Sequence, residues 1–424
     1  MRVDGGSVAA MTQTPAQTPT DKRLFIDDED FDGQFRRTLQ AAMRGSADLG
    51  EAFAVAARIQ PGDFASWARE WQQVADRALR EADESLNADD VAGARRGYLR
   101  ASEYYRQAFF YARTDLDDPF LHSAYTAHVN AFRAAMPLLG GQTTIMELGG
   151  EITARGYLFR PDASDTPRPT VIAPAGYDST AESGYVLAVV SALEHDMNCL
   201  VFEGPGQGGV LFRDRIPFRP DYEVVMTPVV DWLLTQRGVD PDGVILLGRS
   251  FAGYLAPRAA TAEHRICALV CDPAQYDFGA ALRGRLGEAV WNRLQAGDPT
   301  LEADLAPMVA EPHAANEYGW RMVAHGTSTL TAYLRELSRF TLAGVADRIS
   351  CRTLALEGEG DFAGTGQLQT FADALTAPVV THRFTEAEGA GGHCEGLGQD
   401  RFDQFVYGWL TPTPAQHKTA VTAV

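Results

Sequence analysis

The sequence lacks a long apolar run of the kind that crosses a membrane. Nowhere do about 18 apolar residues occur in succession, which a membrane-spanning helix requires. Residues 1–20 carry one early arginine but no apolar stretch long enough for a secretory signal. Their Thr-, Pro-, Gln- and Ala-rich composition predicts a disordered tail over residues 1–23. We therefore expect a cytoplasmic protein without a membrane partner.

Cysteine and basic residues are also scarce. The 5 cysteines form no C-x-x-C pair, which argues against a disulfide framework and a structural zinc site. Four of them lie in or beside apolar runs and are predicted to be small core residues. The 37 Lys and Arg residues are outnumbered by 56 Asp and Glu residues, giving a formal net charge of −19 without a basic stripe. This balance argues against a nucleic-acid partner.

A nucleotide site is not predicted either. The segment FEGPGQGG at residues 202–209 looks at first like a phosphate loop. It has neither the Lys-Ser/Thr ending nor the G-x-G-x-x-G spacing that such loops need. We expect it to form a turn that shapes the site, and we predict no cofactor and no metal.

What is present is the composition of a globular protein. The chain has 424 residues, of which 45% are hydrophobic and 22% charged, so it can form a large core and an additional domain. Apolar positions recur at helical spacing in FASWAREWQQVADRALREADESL and ARRGYLRASEYYRQAFFYAR. The helical pattern ends where Pro137 and the pair Gly140 and Gly141 interrupt it. The sequence therefore predicts a helical N-terminal domain over residues 24–141.

Beyond this region, short β-rich runs alternate with helical segments. The helices are predicted at about residues 181–195, 221–236, 251–263, 365–376 and 399–410. Several runs, such as TVIAPA, GVILLG and ICALVCD, are apolar throughout, which is typical of parallel strands covered on both faces. The order predicts a doubly wound, mostly parallel α/β sheet with an antiparallel entry and a helical cap inserted after the sixth strand. The predicted segments are residues 142–275 and 346–412 for the two parts of the sheet domain, 276–345 for the cap, and 413–424 for a flexible tail.

The segment GVILLGRSFAGYLAPRAA is the most informative one, because an apolar strand leads directly into a turn and a helix. Ser250 stands at that turn, and the small residues Gly248 and Ala252 let neighbouring backbone pass close by. The pattern indicates a nucleophile elbow, although Ala252 departs from the usual G-x-S-x-G. A serine that caps a helix would look similar locally, and the preceding strand favours the nucleophile.

A serine nucleophile needs a general base, which the α/β-hydrolase fold supplies in the chain order Ser, acid, His. Asp361 follows the strand TLALEG, and His393 follows the strand VVTHRF and a glycine-rich stretch. Both lie just beyond the carboxyl end of a strand, where sites form in open α/β sheets. We predict that His393 takes the proton of Ser250 and that Asp361 fixes the tautomer of His393.

Other acids and histidines are alternatives. Asp272 also follows a strand between Ser250 and His393, and it is the second candidate for the acid; Glu357 and Glu359 flank the preferred position. Surface or packing roles are expected for His195, His264, His313, His325 and His382.

An oxyanion hole needs two backbone donors, one from the residue after the nucleophile and one from the loop after an earlier strand. Phe251 would supply the first donor. In VIAPAGYDST, Gly176 would permit a tight turn and the amide of Tyr177 would be the second. An ordinary turn in which Asp178 or Ser179 caps the next helix is equally compatible with this segment.

The ordered motifs PAGYDSTAES, FEGPGQGG, GRSFAGY, GEGD and GGHC resemble those of one α/β-hydrolase group. This group includes 2,6-dihydroxypseudooxynicotine hydrolase, the fungal polyketide-shortening hydrolases and the FrsA-like proteins, and the resemblance covers roughly residues 24–411. It implies that Ser250, Asp361 and His393 form the triad. It also implies that Phe251 and Tyr177 are the oxyanion donors.

Two positions depart from the related sequences. One is Ala175, directly before Gly176, and the other is Glu203, where related sequences often have aspartate. Neither removes a catalytic group, and we expect Gly176 and Glu203 to bind substrate. The resemblance implies hydrolysis of a carbon–carbon bond beside a ketone in a small aromatic or polyketide-like molecule. The same residues would serve an esterase, lactonase, acyltransferase or cyclase, and the FrsA resemblance leaves open a non-catalytic binding protein. A homodimer is compatible with the sequence but not required by it.

Overall fold

The computed structural model describes residues 25–364 and 366–411. The tails predicted over residues 1–23 and 413–424 therefore lie outside the described residues. In the part of the chain that is described, no helix is long and apolar enough to cross a membrane.

The N-terminal region is helical, as its apolar spacing predicts. Each of its α-helices begins after an aspartate whose side chain accepts a hydrogen bond from a backbone N–H of the first turn, which satisfies a donor that the helix leaves free. Trp67, Trp71, Phe31 and Phe35 are fully buried in the core that these helices share. The helices are α1 Glu29–Met43, α2 Leu49–Ala56, α3 Phe64–Asn87, α4 Val91–Phe109 and α5 Pro119–Ala135.

The described strands form one eight-stranded sheet. The strands are β1 Gln142–Leu148, β2 Ala154–Arg160, β3 Arg168–Pro174, β4 Asn198–Glu203, β5 Val239–Arg249, β6 Ile266–Asp272, β7 Arg352–Gly358 and β8 Val379–Phe384. Their order is β1-β2-β4-β3-β5-β6-β7-β8. The first two neighbouring pairs are antiparallel and the others parallel. The predicted doubly wound sheet with an antiparallel entry is confirmed.

Helices follow the strands along the rest of the chain. They are α6 Val190–Glu194, α7 Gly208–Phe212, α8 Glu223–Leu234, α9 Ala252–Ala260, α10 Phe278–Ala296, α11 Leu301–Leu305, α12 Pro312–Ala324, α13 Leu330–Leu337, α14 Leu368–Asp373 and α15 Gln399–Leu410. The helices α10 to α13 occupy the stretch between β6 and β7 where a cap is predicted. The division of the chain into domains stays a prediction.

Both faces of the sheet are buried, because alternate residues of a strand belong to different apolar clusters. In β5, Leu246 shares a cluster with Leu255 of α9. Its neighbour Ile245 belongs to a second cluster, which contains Phe402 of α15. The carboxyl end of β5 is thus fixed between two packed layers, and this is where Ser250 follows.

Three local expectations need correction. The helix predicted over residues 181–195 begins later, as a π-helical turn at Tyr185–Val189 that continues into α6, because Thr180 N–H donates to Ser183 Oγ and closes a separate turn. The helix predicted over residues 365–376 is shorter and spans only α14. The left-handed φ of Gly366 prevents the helix from starting before that residue. Cys267 is exposed instead of buried, because the register of β5 and β6 shifts there and leaves one extra residue in a bulge.

Candidate active site

The nucleophile elbow has the expected geometry. Ser250 lies between the end of β5 and the start of α9 with a φ of 58°, a left-handed conformation that is strained for a residue with a side chain. Its N–H donates to the carbonyl of Asp272 at 2.7 Å. A Cβ on Gly248 would stand 2.1 Å from the carbonyl oxygen of Ala252, so this position has no room for a side chain. The surrounding backbone thus holds Ser250 in the strained turn.

The structure brings the three predicted triad residues together. The Oγ of Ser250 lies 2.9 Å from Nε2 of His393. On the other side of the ring, Nδ1 of His393 lies 2.9 Å and 3.1 Å from the two carboxylate oxygens of Asp361. Asp361 is only 2% exposed. A continuous chain of hydrogen bonds therefore runs from Ser250 through His393 to a buried carboxylate.

The alternative acids are engaged elsewhere. The carboxylate of Asp272 accepts from Nε of Arg249 at 2.9 Å. Glu359 accepts from the backbone N–H of Glu386 at 2.9 Å. Glu357 lies 3.6 Å from the guanidinium of Arg383. The geometry therefore favours Asp361 over all three.

Charge around His393 favours its protonated form. Burial alone lowers the pKa of His393, but its interactions with Cys394 and with the carboxylate of Asp361 outweigh burial and raise this pKa well above its ordinary value. Protonated His393 is the species that forms when the imidazole accepts the proton of Ser250. The surroundings of His393 therefore stabilise its cationic form.

Two backbone N–H groups near Ser250 have no protein acceptor in the part of the chain that is described. Within the described residues, neither the N–H of Phe251 nor that of Tyr177 donates to another protein group. The sequence predicts that a glycine at position 176 permits a tight turn, but the φ of Gly176 is not left-handed. A Cβ there would lie 3.2 Å from both the carbonyl of Arg249 and Cβ of Ser250. Gly176 is thus needed for close approach to the elbow and not for a tight turn.

Glu203 is placed apart from the triad. It is 2% exposed, and Tyr125 Oη donates to it at 2.9 Å, while the backbone N–H of Gly209 donates to its second oxygen. Burial and the nearby charge of Glu182 raise the pKa of Glu203 to about 8. Both oxygens of Glu203 are thus engaged within the protein, and its predicted contact with substrate stays a prediction.

The FEGPGQGG segment forms a turn that supports the loop of Tyr177. Gln207 accepts from the N–H of Gly204 at 2.6 Å, and its amide nitrogen donates to the carbonyl of Ala175. The segment is therefore linked directly to the residues that precede Tyr177.

His325 is a residue that sequence reasoning assigned to the surface or to packing. It is 4% exposed, and its Nε2 contacts Oη of Tyr177. Burial, together with the charge of Arg321, lowers the pKa of His325 to about 3, so its ring is neutral at ordinary pH. A single histidine in a helix-like insertion carries no local signal for this position.

One aromatic side chain beside the triad is exposed. The ring of Phe362 lies 4.9 Å from the ring of His393, and Phe362 is 55% exposed. The rings of Tyr177 and Phe251 pack in a tilted arrangement with their centroids 4.1 Å apart, and both side chains are buried. The exposed aromatic surface beside the triad is therefore that of Phe362.

Comparisons with known proteins show what the chain is similar to. No protein-family model matches the sequence. The chain is 31% identical over 405 residues to the hydrolase LUC6 of Fusarium sp, covering 90% of this chain and 96% of the relative. It is 32% identical over 364 residues to the hydrolyase poxO of Penicillium oxalicum, covering 80% and 86%. The 20-hydroxy-prefusarin hydrolase FUS2 of Gibberella moniliformis is 29% identical over 346 residues, covering 78% and 82%.

Solved structures share the fold. The 2,6-dihydroxy-pseudo-oxynicotine hydrolase aligns with a TM-score of 0.68 at 20% identity, covering 89% of this chain and 94% of that one. AbyA5 aligns with a TM-score of 0.59 at 17% identity, covering 90% and 94%. The resemblance inferred from the ordered motifs is confirmed.

Proposed function

The chain belongs to the α/β-hydrolase family and is a hydrolase of that type, and on this premise we propose that Ser250, His393 and Asp361 are its nucleophile, general base and orienting acid. The observation that carries the proposal is the unbroken set of contacts from Oγ of Ser250 through His393 to Asp361. The strained elbow supports it, because strain at a single serine is typical of this type of nucleophile.

The residues suggest a sequence of steps. His393 accepts the Ser250 proton at Nε2 while Oγ attacks a carbonyl carbon of the substrate. The N–H groups of Phe251 and Tyr177 donate to the oxyanion that forms. His393 then returns the proton to the leaving group, and Asp361 balances the imidazolium charge throughout. Water activated by His393 releases the acyl group and restores Ser250.

We propose further that the bond cleaved is a carbon–carbon bond beside a ketone. The collapse of the tetrahedral intermediate then expels a carbanion, which must be delocalised as an enolate or into an electron-rich ring before His393 protonates it. The exposed ring of Phe362 beside His393 suits a small aromatic or polyketide-like substrate. The names of two relatives, 20-hydroxy-prefusarin hydrolase and 2,6-dihydroxy-pseudo-oxynicotine hydrolase, are consistent with such substrates.

A fluorophosphonate probe tests the nucleophile. We expect the wild type to gain the mass of one phosphonyl group and Ser250→Ala to gain none. Ser350→Ala is the matched control, because Ser350 also has a histidine neighbour, with Oγ 3.3 Å from Nδ1 of His264, but stands outside the elbow. A folded wild type that stays unlabelled, or label that persists in Ser250→Ala, would refute the proposed serine.

A pair of substrates tests the bond. Benzoylacetone offers a carbon–carbon bond between two carbonyls, whose cleavage gives a carboxylic acid and a methyl ketone, and phenyl benzoate offers an ester. We expect acid and ketone from benzoylacetone with the wild type and neither with Ser250→Ala, measured by chromatography. Turnover of phenyl benzoate alone would retain the serine hydrolase and overturn the carbon–carbon assignment.

A further inference from the structure

The loop after β3 is tied to helices that lie outside the sheet. Asp178, the residue directly after Tyr177, accepts from Nη1 of Arg113 at 2.9 Å. Nη1 of Arg37 lies 3.3 Å from the other oxygen of the same carboxylate. Arg37 belongs to α1 and Arg113 follows α4, so both guanidinium groups reach the loop from the N-terminal helices.

Arg113 itself has little freedom to move. Its guanidinium carbon lies 3.9 Å from the ring centroid of Phe110 and 4.3 Å from that of Trp320 in α12. Its Nε donates to the carbonyl of Phe110 at 2.6 Å, and the residue is only 5% exposed. A guanidinium held between two rings presents its remaining donors in one direction. That direction is towards Asp178.

The ion pairs keep Asp178 charged. Burial would raise the pKa of Asp178, but the guanidinium groups of Arg113 and Arg37 hold it well below its usual range. Burial lowers the pKa of Arg113 to about 10, which leaves it a cation at neutral pH. The carboxylate therefore attracts two fixed cations under the conditions in which the enzyme works.

The rest of the loop is short and also held. Ser179 Oγ accepts from the N–H of Gly176 at 2.8 Å, so the side chain of Ser179 closes the loop across Tyr177. The next helical turn starts at Tyr185, so the alternative in which Asp178 or Ser179 caps that helix does not hold. The carboxylate of Asp178 serves the ion pairs instead.

We propose that the ion pairs of Asp178 with Arg113 and Arg37 position the Tyr177 N–H, so that the N-terminal helices complete the oxyanion hole. The inference rests on the proposed function, in which this N–H stabilises the oxyanion. Asp178 is then a positioning residue, which acts through the amide one peptide bond away. Tyr177 is held on its other side by the contact of its hydroxyl with His325, so two sets of helices outside the sheet fix one backbone donor.

The test is the rate at which the fluorophosphonate labels Ser250, because the phosphoryl oxygen of the probe occupies the oxyanion position. We expect Asp178→Asn to lower the limiting first-order labelling rate about 10- to 100-fold, less than the loss of an oxyanion donor, because the N–H is misplaced and not removed. The probe concentration that gives half of this rate should stay unchanged. Arg113→Met should behave alike, and Arg113→Lys should recover part of the rate because it restores the charge.

The control is Arg168→Gln, which removes ion pairs with Asp162 and Asp196 at the opposite end of the same strand. Its labelling rate should equal that of the wild type. Arg37→Gln covers the case in which Asp178→Asn does not fold, since Arg37 is partly exposed, and we expect it to lower the rate about 3-fold without changing the thermal unfolding temperature.

The two proposals fail in different ways. An unlabelled wild type contradicts the serine mechanism itself. A labelled wild type together with folded Asp178→Asn or Arg37→Gln at the wild-type rate overturns the positioning role alone. A variant that changes only the half-saturating concentration also overturns it, because that result places Asp178 in probe binding.

Discussion

The two halves of the site are held in different ways. His393 and Asp361 lie on loops that bind each other, since the N–H of Gly392 donates to the carbonyl of Glu359 at 2.7 Å. A Cβ on Gly358 would stand 2.3 Å from the carbonyl of Gly392, which shows how closely these loops meet. The loop of Tyr177, in contrast, is fixed by side chains from the N-terminal helices and from the helices between β6 and β7.

The difference separates local from distant control. The acid–base half is supported by contacts within the last part of the chain and by Arg249, which lies beside Ser250. Changes to the ion pairs of Arg37 and Arg113 should therefore leave its proton chemistry intact. The oxyanion half depends on contacts with residues far away in sequence, such as the pair Tyr177 and His325, which are 148 positions apart. Damage to either half should therefore produce a different kinetic signature.

Breaking the acid–base half should have the largest effect. Asp361→Asn removes the charge that orients and stabilises protonated His393, and we expect turnover to fall about 10⁴-fold, as in other triads. Benzoylacetone turnover and the labelling rate of Ser250 both measure it, with circular dichroism as the check on folding. If Asp272→Asn causes this loss while Asp361→Asn stays active, the assignment of the acid is wrong.

The pH profile should separate the two halves. The interactions of His393 with Cys394 and Asp361 raise its pKa well above the ordinary value of 6.5. Below this raised pKa His393 is protonated and cannot accept the proton of Ser250. The labelling rate should therefore rise with pH and reach half of its maximum above pH 6.5. Asp361→Asn should move this midpoint to lower pH, whereas Asp178→Asn should lower the plateau and leave the midpoint in place. Equal shifts in both variants would contradict the separation.

The smallest effect concerns stability. The folded-state pKa of His325 is lowered to about 3 from the ordinary 6.5, so between these values the unfolded chain binds a proton that the folded chain does not. Its contribution to stability is present above pH 6.5 and is lost as pH falls.

Urea unfolding at pH 7.0 and 5.5 measures this loss. Over that interval we expect the wild type to lose about 1.4 kcal/mol more of its free energy of unfolding than His325→Gln does. Parallel losses in the two proteins would show that His325 does not carry the effect. The variant also sharpens the comparison, since it weakens the support of Tyr177 from the side opposite to Asp178.

A feature can be predicted from the sequence when it depends on a short local motif. The elbow at Ser250 and the loops of Asp361 and His393 are predictable because each is a short motif at the end of a strand. The choice between Asp361 and Asp272 is not, because both follow strands. The structure favours Asp361, because Arg249 binds Asp272, its pairing partner in the neighbouring strand.

The contacts that hold the loop of Tyr177 cannot be predicted from local sequence patterns. Arg113 and His325 stand in helical segments of ordinary composition, and their roles arise only when distant helices pack. Cys267 shows the same limit within the sheet, where an apolar run predicts burial but a register shift exposes one residue.

Arg249 limits which segments of this protein can be exchanged with those of a relative. The guanidinium of Arg249, directly before Ser250, binds the carboxylates of Asp272 and Glu395 and the carbonyl of Cys394, directly after His393. A single side chain therefore links the neighbourhoods of Ser250 and His393. A chimera that takes β5 and the loop after β8 from different parents must inherit Arg249, Asp272 and Glu395 as one unit, or Ser250 and His393 will be out of alignment.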